Sequence, residues 1–190
     1  MGIYLNRFLL NFYMFIDKGK RGKVYKIFNF ALKIERKDIK TINRIKNEAG
    51  WLKILNKHGI GPKLYFSYGN WILMKFVNGE RILDYFKKIS YIRKKEIIKE
   101  ILLQCYEMDK LKVNKFEMNH PDKHIVIDKK VVMIDFEKCK YSLKPKNVTQ
   151  FLQFLNKLGI QISKKVIEVS KKYKENQNDE NFKRILELFN

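Results

Sequence analysis

Lys23-Val24-Tyr25-Lys26-Ile27-Phe28-Asn29-Phe30-Ala31-Leu32-Lys33-Ile34-Glu35 is the stretch whose reading decides the fold. Lys23 to Phe28 and Ala31 to Glu35 are short runs containing β-branched and aromatic residues, with only Asn29-Phe30 between them. So short a connection predicts a tight antiparallel hairpin. Alternation along the second strand puts Lys33 on the same side as Ala31. Just upstream, Asp17-Lys18-Gly19-Lys20-Arg21-Gly22-Lys23-Val24 carries two glycines three apart where the first strand begins. Backbone N–H groups can approach phosphates closely over such a turn, although a glycine-bearing hairpin turn accounts for it equally well.

Downstream the period changes. Ile39, Ile42, Ile45, Ala49, Leu52 and Leu55 recur at three- and four-residue steps, which predicts a helix from Lys37 to Lys57 with Glu48 inside it. His58-Gly59-Ile60-Gly61-Pro62 ends that helix. A second strand pair follows, Lys63 to Tyr68 and Trp71 to Val77 around Gly69-Asn70. Asn78-Gly79 then breaks the chain before a short helix, Arg81 to Lys88, and a long amphipathic one, Ile92 to Leu111. A third strand pair is expected at His124 to Ile127 and Val131 to Asp135, turning at Asp128-Lys129-Lys130. The remainder reads as helices at Val148 to Leu158, Lys164 to Tyr173 and Glu180 to Phe189.

Composition bounds the class. The 190 residues hold 41 Lys+Arg against 20 Asp+Glu, a formal net charge of +21, yet 45% are hydrophobic and 14% aromatic. That apolar content argues for a folded core and against disorder. The lysines are scattered through nearly every segment, so a biased composition or a heat-adapted surface explains them as well as a polyanion partner does. Nucleic acid or the ribosome therefore stays open as a partner. No apolar run reaches the ~18–20 residues needed to span a bilayer. Ile3 to Ile16 is interrupted by Asn6, Arg7 and Asn11 and lacks a small-residue cleavage site, so no signal peptide and no membrane partner are expected. Cys105 and Cys139 are too few for a disulfide framework, and a reducing, cytoplasmic setting is the expectation.

Five features in order, the glycine turn, Lys33, Glu48, Trp71 to Gly79 and Val131-Val132-Met133-Ile134-Asp135-Phe136-Glu137, resemble the eukaryotic-like protein kinases. The chain looks like a small archaeal relative near the RIO-type and other atypical groups. Gly19, Gly22 and Val24 match the kinase glycine loop, with Asp17 in place of its first glycine, and Ala31-Leu32-Lys33 is similar to the third-strand Ala-x-Lys. The resemblance implies an α+β, two-lobed kinase-like fold, with a small antiparallel-sheet lobe over about 1–77 and a shortened, mostly helical lobe over about 78–190. It implies ATP and Mg²⁺ (or Mn²⁺) as cofactors. Gly19 and Gly22 would cover the phosphates, Lys33 would hold them, and Glu48 would orient Lys33. Met74 to Val77, Phe76 among them, would lie against adenine, Val24 and Ala31 would belong to the same nucleotide site, and Asp135 would bind the metal.

The catalytic loop departs from the family's pattern. Lys115-Phe116-Glu117-Met118-Asn119-His120-Pro121-Asp122-Lys123-His124 has no His-Arg-Asp. A two-residue insertion puts Glu117 where the catalytic aspartate stands, with Asp122 as its rival for the substrate proton. His124 then falls at the second metal-ligand position, where imidazole suits Mg²⁺ poorly and could face phosphate instead. Glu137 replaces the glycine of Asp-Phe-Gly, no Ala-Pro-Glu follows, and the short remainder implies a minimal docking platform. The implied activity is transfer of the ATP γ-phosphoryl group to a Ser/Thr hydroxyl of an unknown protein substrate. The alternatives are a nucleotide-binding pseudokinase, a basic RNA- or ribosome-associated module, and a small-molecule kinase. Phe151, Leu152, Phe154, Leu155 and Leu158, on the helix opened by Asn147, are expected to be packing.

Overall fold

A computed structural model describes residues 13–18, 22–35, 43–160 and 164–190. The chain divides into two compact units, Met1–Asn78 with Asp135–Lys138, and Gly79–Ile134 with Cys139–Asn190.

The first unit is built on a five-stranded antiparallel sheet in the order β1-β2-β3-β5-β4. Its strands are β1 (Tyr13–Lys18), β2 (Gly22–Ile27), β3 (Phe30–Glu35), β4 (Leu64–Tyr68) and β5 (Trp71–Lys75). A hairpin is present as expected, but it turns at Phe28-Asn29 rather than Asn29-Phe30: Ile27 faces Phe30 and Gly22 faces Glu35 across β2 and β3. Phe28 closes the turn at φ 52, in the left-handed region that a two-residue hairpin demands. β1 was given no range from the sequence, because Ile3 to Ile16, though interrupted by Asn6, Arg7 and Asn11, has no regular alternation to set a strand boundary. Helix α1 (Arg44–Leu55) buries Ile45, Glu48, Ala49, Leu52 and Leu55. The expected stretch of this helix over 37–42 lies outside the described residues. Its exposed first N–H groups need an acceptor, and the Glu35 carboxylate takes Arg44 N–H at 2.9 Å.

The turn after α1 explains two glycines. A 3₁₀ turn (Asn56–His58) runs into Gly59 at φ 71 and Gly61 at φ 81. At Gly61 a Cβ would also come within 2.9 Å of both Leu52 Cδ2 and Phe136 Cε2. The Asn56 side chain pins this turn, donating to the Ile60 and Pro62 carbonyls at 3.0 Å and accepting from Leu64 N–H at 2.7 Å. Phe136, fully buried, therefore packs beside the end of α1.

The second unit is mainly helical. It holds β6 (Glu80–Arg81), α2 (Ile82–Phe86), α3 (Tyr91–Lys110), β7 (Val113–Asn114), β8 (Ile125–Ile127), β9 (Val131–Met133) and β10 (Lys140–Tyr141). Then come α4 (Asn147–Lys157), α5 (Lys164–Glu175) and α6 (Asp179–Glu187). Ser90 caps α3 by accepting from Arg93 N–H at 3.3 Å. Ile97, Ile101, Leu102 and Cys105 of α3 are buried, as are Val148, Phe151, Leu152, Phe154 and Leu155 of α4, so four of the five expected packing residues, Phe151, Leu152, Phe154 and Leu155, are packing; Leu158, just past the end of α4, is instead 38% exposed. Tyr106 stacks on Phe182 of α6 at 3.9 Å. β8 and β9 form the expected hairpin and β6 adds to its edge, while β7 pairs with β10. These two-residue strands carry too few positions to show a period. The expected strand to Asp135 stops at Met133, because Asp135 has φ 63 and leaves the extended region. Among the described residues no helix is long and apolar enough to cross a membrane. Cys105 and Cys139 are both buried.

Candidate active site

Ala31 and Lys33 point to the α1 side of β3, where both are buried. Register aligns the neighbours on the same face: Val24 opposite Lys33 on β2, and Met74 opposite Ala31 on β5. Gly22 sits where a Cβ would meet the Ile34 carbonyl at 3.2 Å and the Lys33 stem at 3.7 Å. Phe76 and Val77 follow β5, and the Phe76 ring lies under the Lys26 ammonium at 4.5 Å. Gly19 lies outside the described residues.

The Lys33 ammonium is the centre of an ion cluster within the first unit. It reaches Glu48 Oε2 at 2.6 Å, Asp135 Oδ1 at 3.1 Å and Glu137 Oε2 at 3.6 Å. Glu48 is fully buried, and its other oxygen accepts the Phe136 backbone N–H at 3.2 Å. Burial works against the Lys33 charge, but the attraction of Glu48, Asp135 and Glu137 outweighs it and lifts the pKa above the ordinary lysine value. Burial pushes the Glu48 carboxyl up, while the Lys33 ammonium and the Phe136 N–H pull against that rise. Glu137 also receives Arg44 at 3.3 Å, and its carbonyl accepts from Asn47 Nδ2 at 2.8 Å. The turn after β9 is thus tied to α1 through side chain and backbone alike.

Glu48, Asp135 and Glu137 can bring one oxygen each within 4.8 Å of one another. An all-oxygen set of this kind suits a hard divalent cation such as Mg²⁺. Asp135 is the outermost of the three, with a side chain 32% exposed against 1% for Glu48 and 8% for Glu137. It is the carboxylate with most access to an incoming ion.

In the second unit the structure brings Glu117 and His124 together, with His124 Nε2 3.4 Å from Glu117 Oε2. Both are half-buried. Asp122 lies in a 3₁₀ turn, Pro121–Lys123. The His124 carbonyl accepts Ile134 N–H at 2.9 Å, which holds this loop against the end of β9.

Sequence reasoning passed over a buried polar network beside that loop. Asp109, 2% exposed, accepts from Asn147 Nδ2 at 2.7 Å, Asn147 N–H at 3.1 Å, Val148 N–H at 3.4 Å and Tyr173 Oη at 3.0 Å. Burial raises its pKa to about 6, with the hydrogen bonds from Tyr173, Asn147 and Val148 pulling the other way. Asn147 Oδ1 in turn accepts Lys115 N–H at 2.8 Å, and the buried Lys115 ammonium donates to the Ile134 carbonyl at 2.9 Å. The network holds both strands leading to Glu117 and Asp135. Its one legible sign was polarity at positions where the helical period demands apolar residues, Asp109 on α3 and Asn147 on α4.

No protein-family model and no curated protein matches the sequence. Among solved structures the chain is similar to WbdD, determined in a co-crystal with the kinase inhibitor LY294002. The match has a TM-score of 0.61 at 18% identity and covers 92% of this chain but 44% of that one. The chain therefore spans less than half the length of this neighbour. At that identity the likeness shows the fold alone: a mixed α+β architecture with a small antiparallel sheet and a set of helices.

Proposed function

We propose that the protein is an ATP-dependent phosphotransferase that passes the γ-phosphoryl group to a hydroxyl acceptor, a Ser or Thr side chain of a protein. The observation that carries this reading is the buried Lys33–Glu48 pair with Asp135 beside it. A lysine held by a helix glutamate is a fixed cation, and phosphoryl transfer depends on fixed charge more than on covalent help from the protein. The first unit is read as the small lobe and the second as the shortened helical lobe.

Each residue then has a stated task. Gly19 and Gly22 let the backbone close over the phosphates, and Lys33 pairs with their oxygens while Glu48 keeps its ammonium in place. Val24, Ala31, Met74, Phe76 and Val77 receive the adenine. Asp135 and Glu137 offer oxygen ligands, and a bound Mg²⁺ would neutralise charge on the phosphate oxygens. Glu117 accepts the proton of the attacking hydroxyl as its oxygen bonds to the γ-phosphorus and the bond to the bridging oxygen of ADP breaks. His124 holds the Glu117 carboxylate in position, and Asp122 is the competing base.

The test is transfer of label from γ-labelled ATP by the purified chain with Mg²⁺ or Mn²⁺, beside an Asp135→Asn control. The reading expects label on the protein, on an added protein or on a small hydroxyl acceptor, and none in the control. Thermal stabilisation by ATP without transfer would make the protein a nucleotide-binding pseudokinase. Absence of both transfer and stabilisation would overturn the reading.

A further inference from the structure

The same strands that carry Lys33 inward carry a different set of residues outward. Alternation and register place Tyr25, Phe30, Leu73 and Trp71 on the face of the sheet opposite Lys33. Phe66 pairs with Leu73 and Tyr68 with Trp71, so β4 continues that face. Tyr65, at the bulge between Leu64 and Phe66, joins it through an edge contact with Phe30 at 5.2 Å. The rings are open to solvent: Phe30 is 36% exposed, Tyr65 46%, Phe66 52% and Tyr68 71%. A single exposed aromatic is ordinary; a cluster on one sheet face marks an interaction surface.

Charge decides what it fits. The outward positions of β2, β3, β4 and β5 include no carboxylate, whereas Lys23 and Lys75 stand on this face and the Lys63 ammonium lies over the Tyr65 ring at 5.4 Å. The whole chain carries +21, which opposes pairing with a second copy of itself. A protein partner would have to desolvate these lysines, which interface cores avoid. A single-stranded polynucleotide answers both features, since its bases stack on aromatic rings of any sequence context and its phosphates pair with lysine. We infer that the outer face of the β2–β5 sheet binds a single-stranded nucleic acid, stacking bases on Phe66, Tyr68 and Trp71 and holding phosphates with Lys23, Lys63 and Lys75. This site does not depend on the phosphotransferase reading.

The experiment is fluorescence anisotropy of labelled oligonucleotides of about 15 nucleotides, a length that matches known single-strand site sizes. Single-stranded RNA, single-stranded DNA and a duplex of equal length are titrated with the full chain across a salt series. Single strands should bind more tightly than the duplex. The Phe66→Ala/Tyr68→Ala variant should weaken single-strand binding on the order of tenfold or more and leave the duplex unchanged, while Tyr68→Trp keeps full binding. Lys23→Gln/Lys75→Gln should lower the slope of log K against log salt by roughly 1.4, two phosphate contacts on a single strand. Equal binding of strand and duplex, or an unchanged affinity in the double alanine variant with its fold verified by circular dichroism, would reduce the binding to undirected charge and overturn the inference. So would a concentration-dependent dimer abolished by the same alanine pair, which would make the face a protein interface.

Discussion

Replacing Lys33 by Met keeps most of the side chain's apolar stem and removes the ammonium, with its charge and its hydrogen-bond donors. Of the three carboxylates around the ammonium, Asp135 has solvent and Glu137 has Arg44. Glu48, at 2.6 Å and fully buried, is left without a cation. An orphaned buried charge costs about 3–5 kcal/mol, but a carboxyl can escape by taking a proton. The escape has a cost set by pH. Relative to an unfolded-state value of 4.5, holding Glu48 neutral costs about 3.4 kcal/mol at pH 7 and about 0.8 kcal/mol at pH 5. The sign follows from the raised folded-state pKa: the stability is intact below the unfolded value and is lost as pH rises toward the folded one. Lys33→Met should therefore lose about 3 kcal/mol at pH 7 and under about 1 kcal/mol at pH 5 relative to wild type, read by urea unfolding. Adding Glu48→Gln, which keeps an acceptor for the Phe136 N–H, should flatten that dependence. A loss of the same size at both pH values, or one below about 1 kcal/mol at pH 7, would show that Glu48 is not held by Lys33.

Gly61→Ala should destabilise far more than Gly59→Ala. Both pay about 1–2 kcal/mol for a left-handed backbone, but only at Gly61 does the new Cβ collide with Leu52 and Phe136, adding about 1–3 kcal/mol; equal losses in urea would remove that contact. Asp109, raised from 3.8 to about 6, should give wild type a fall of up to about 3 kcal/mol as pH rises between those values. Asp109→Asn should lack this slope in unfolding measured from pH 4 to 7, and an unchanged slope would assign it elsewhere. Glu117→Gln should cut label transfer on the order of a hundredfold or more while sparing ATP-induced stabilisation; the same pattern in Asp122→Asn alone would move the proton acceptor there.

The legible part of the site was the part governed by local periods. A short connection marks β2 and β3 as a hairpin, although its turn falls at Phe28-Asn29 and not at Asn29-Phe30; alternation puts Lys33 on the side of Ala31, and a helical period puts Glu48 on the face of α1 with Ile45 and Leu52. Asp135 was readable as the end of an apolar strand, although its left-handed backbone was not. Glu137 was read only as a substitute for glycine, while in the fold it binds Arg44 and approaches Lys33 across more than ninety residues of chain. No period connects positions so far apart. The same holds for Asp109, Asn147 and Tyr173, whose hydrogen bonds depend on how α3, α4 and α5 pack. The very short strands β6, β7 and β10 exist through tertiary pairing rather than propensity.

Because the side-chain period of a strand is two, the catalytic proposal and the polynucleotide proposal occupy opposite faces of the same sheet. Lys33 and Ile34 are adjacent in sequence, yet one meets Glu48 beneath α1 and the other shares the side of Trp71. The two proposals can therefore fail separately. Lys33→Met with Glu48→Gln alters the inner face and leaves every exposed ring in place, so it should abolish ATP-dependent transfer without weakening a single strand. Phe66→Ala with Tyr68→Ala alters surface positions on the edge strand and should leave the Lys33–Glu48 pair intact. If either pair of substitutions disturbed both readouts, the simplest physical cause would be a shifted strand register. The pH-dependent unfolding of the Phe66→Ala/Tyr68→Ala variant, which keeps Lys33, would expose it, because a slip by one residue exchanges the inward and outward sets and strips Glu48 of its cation.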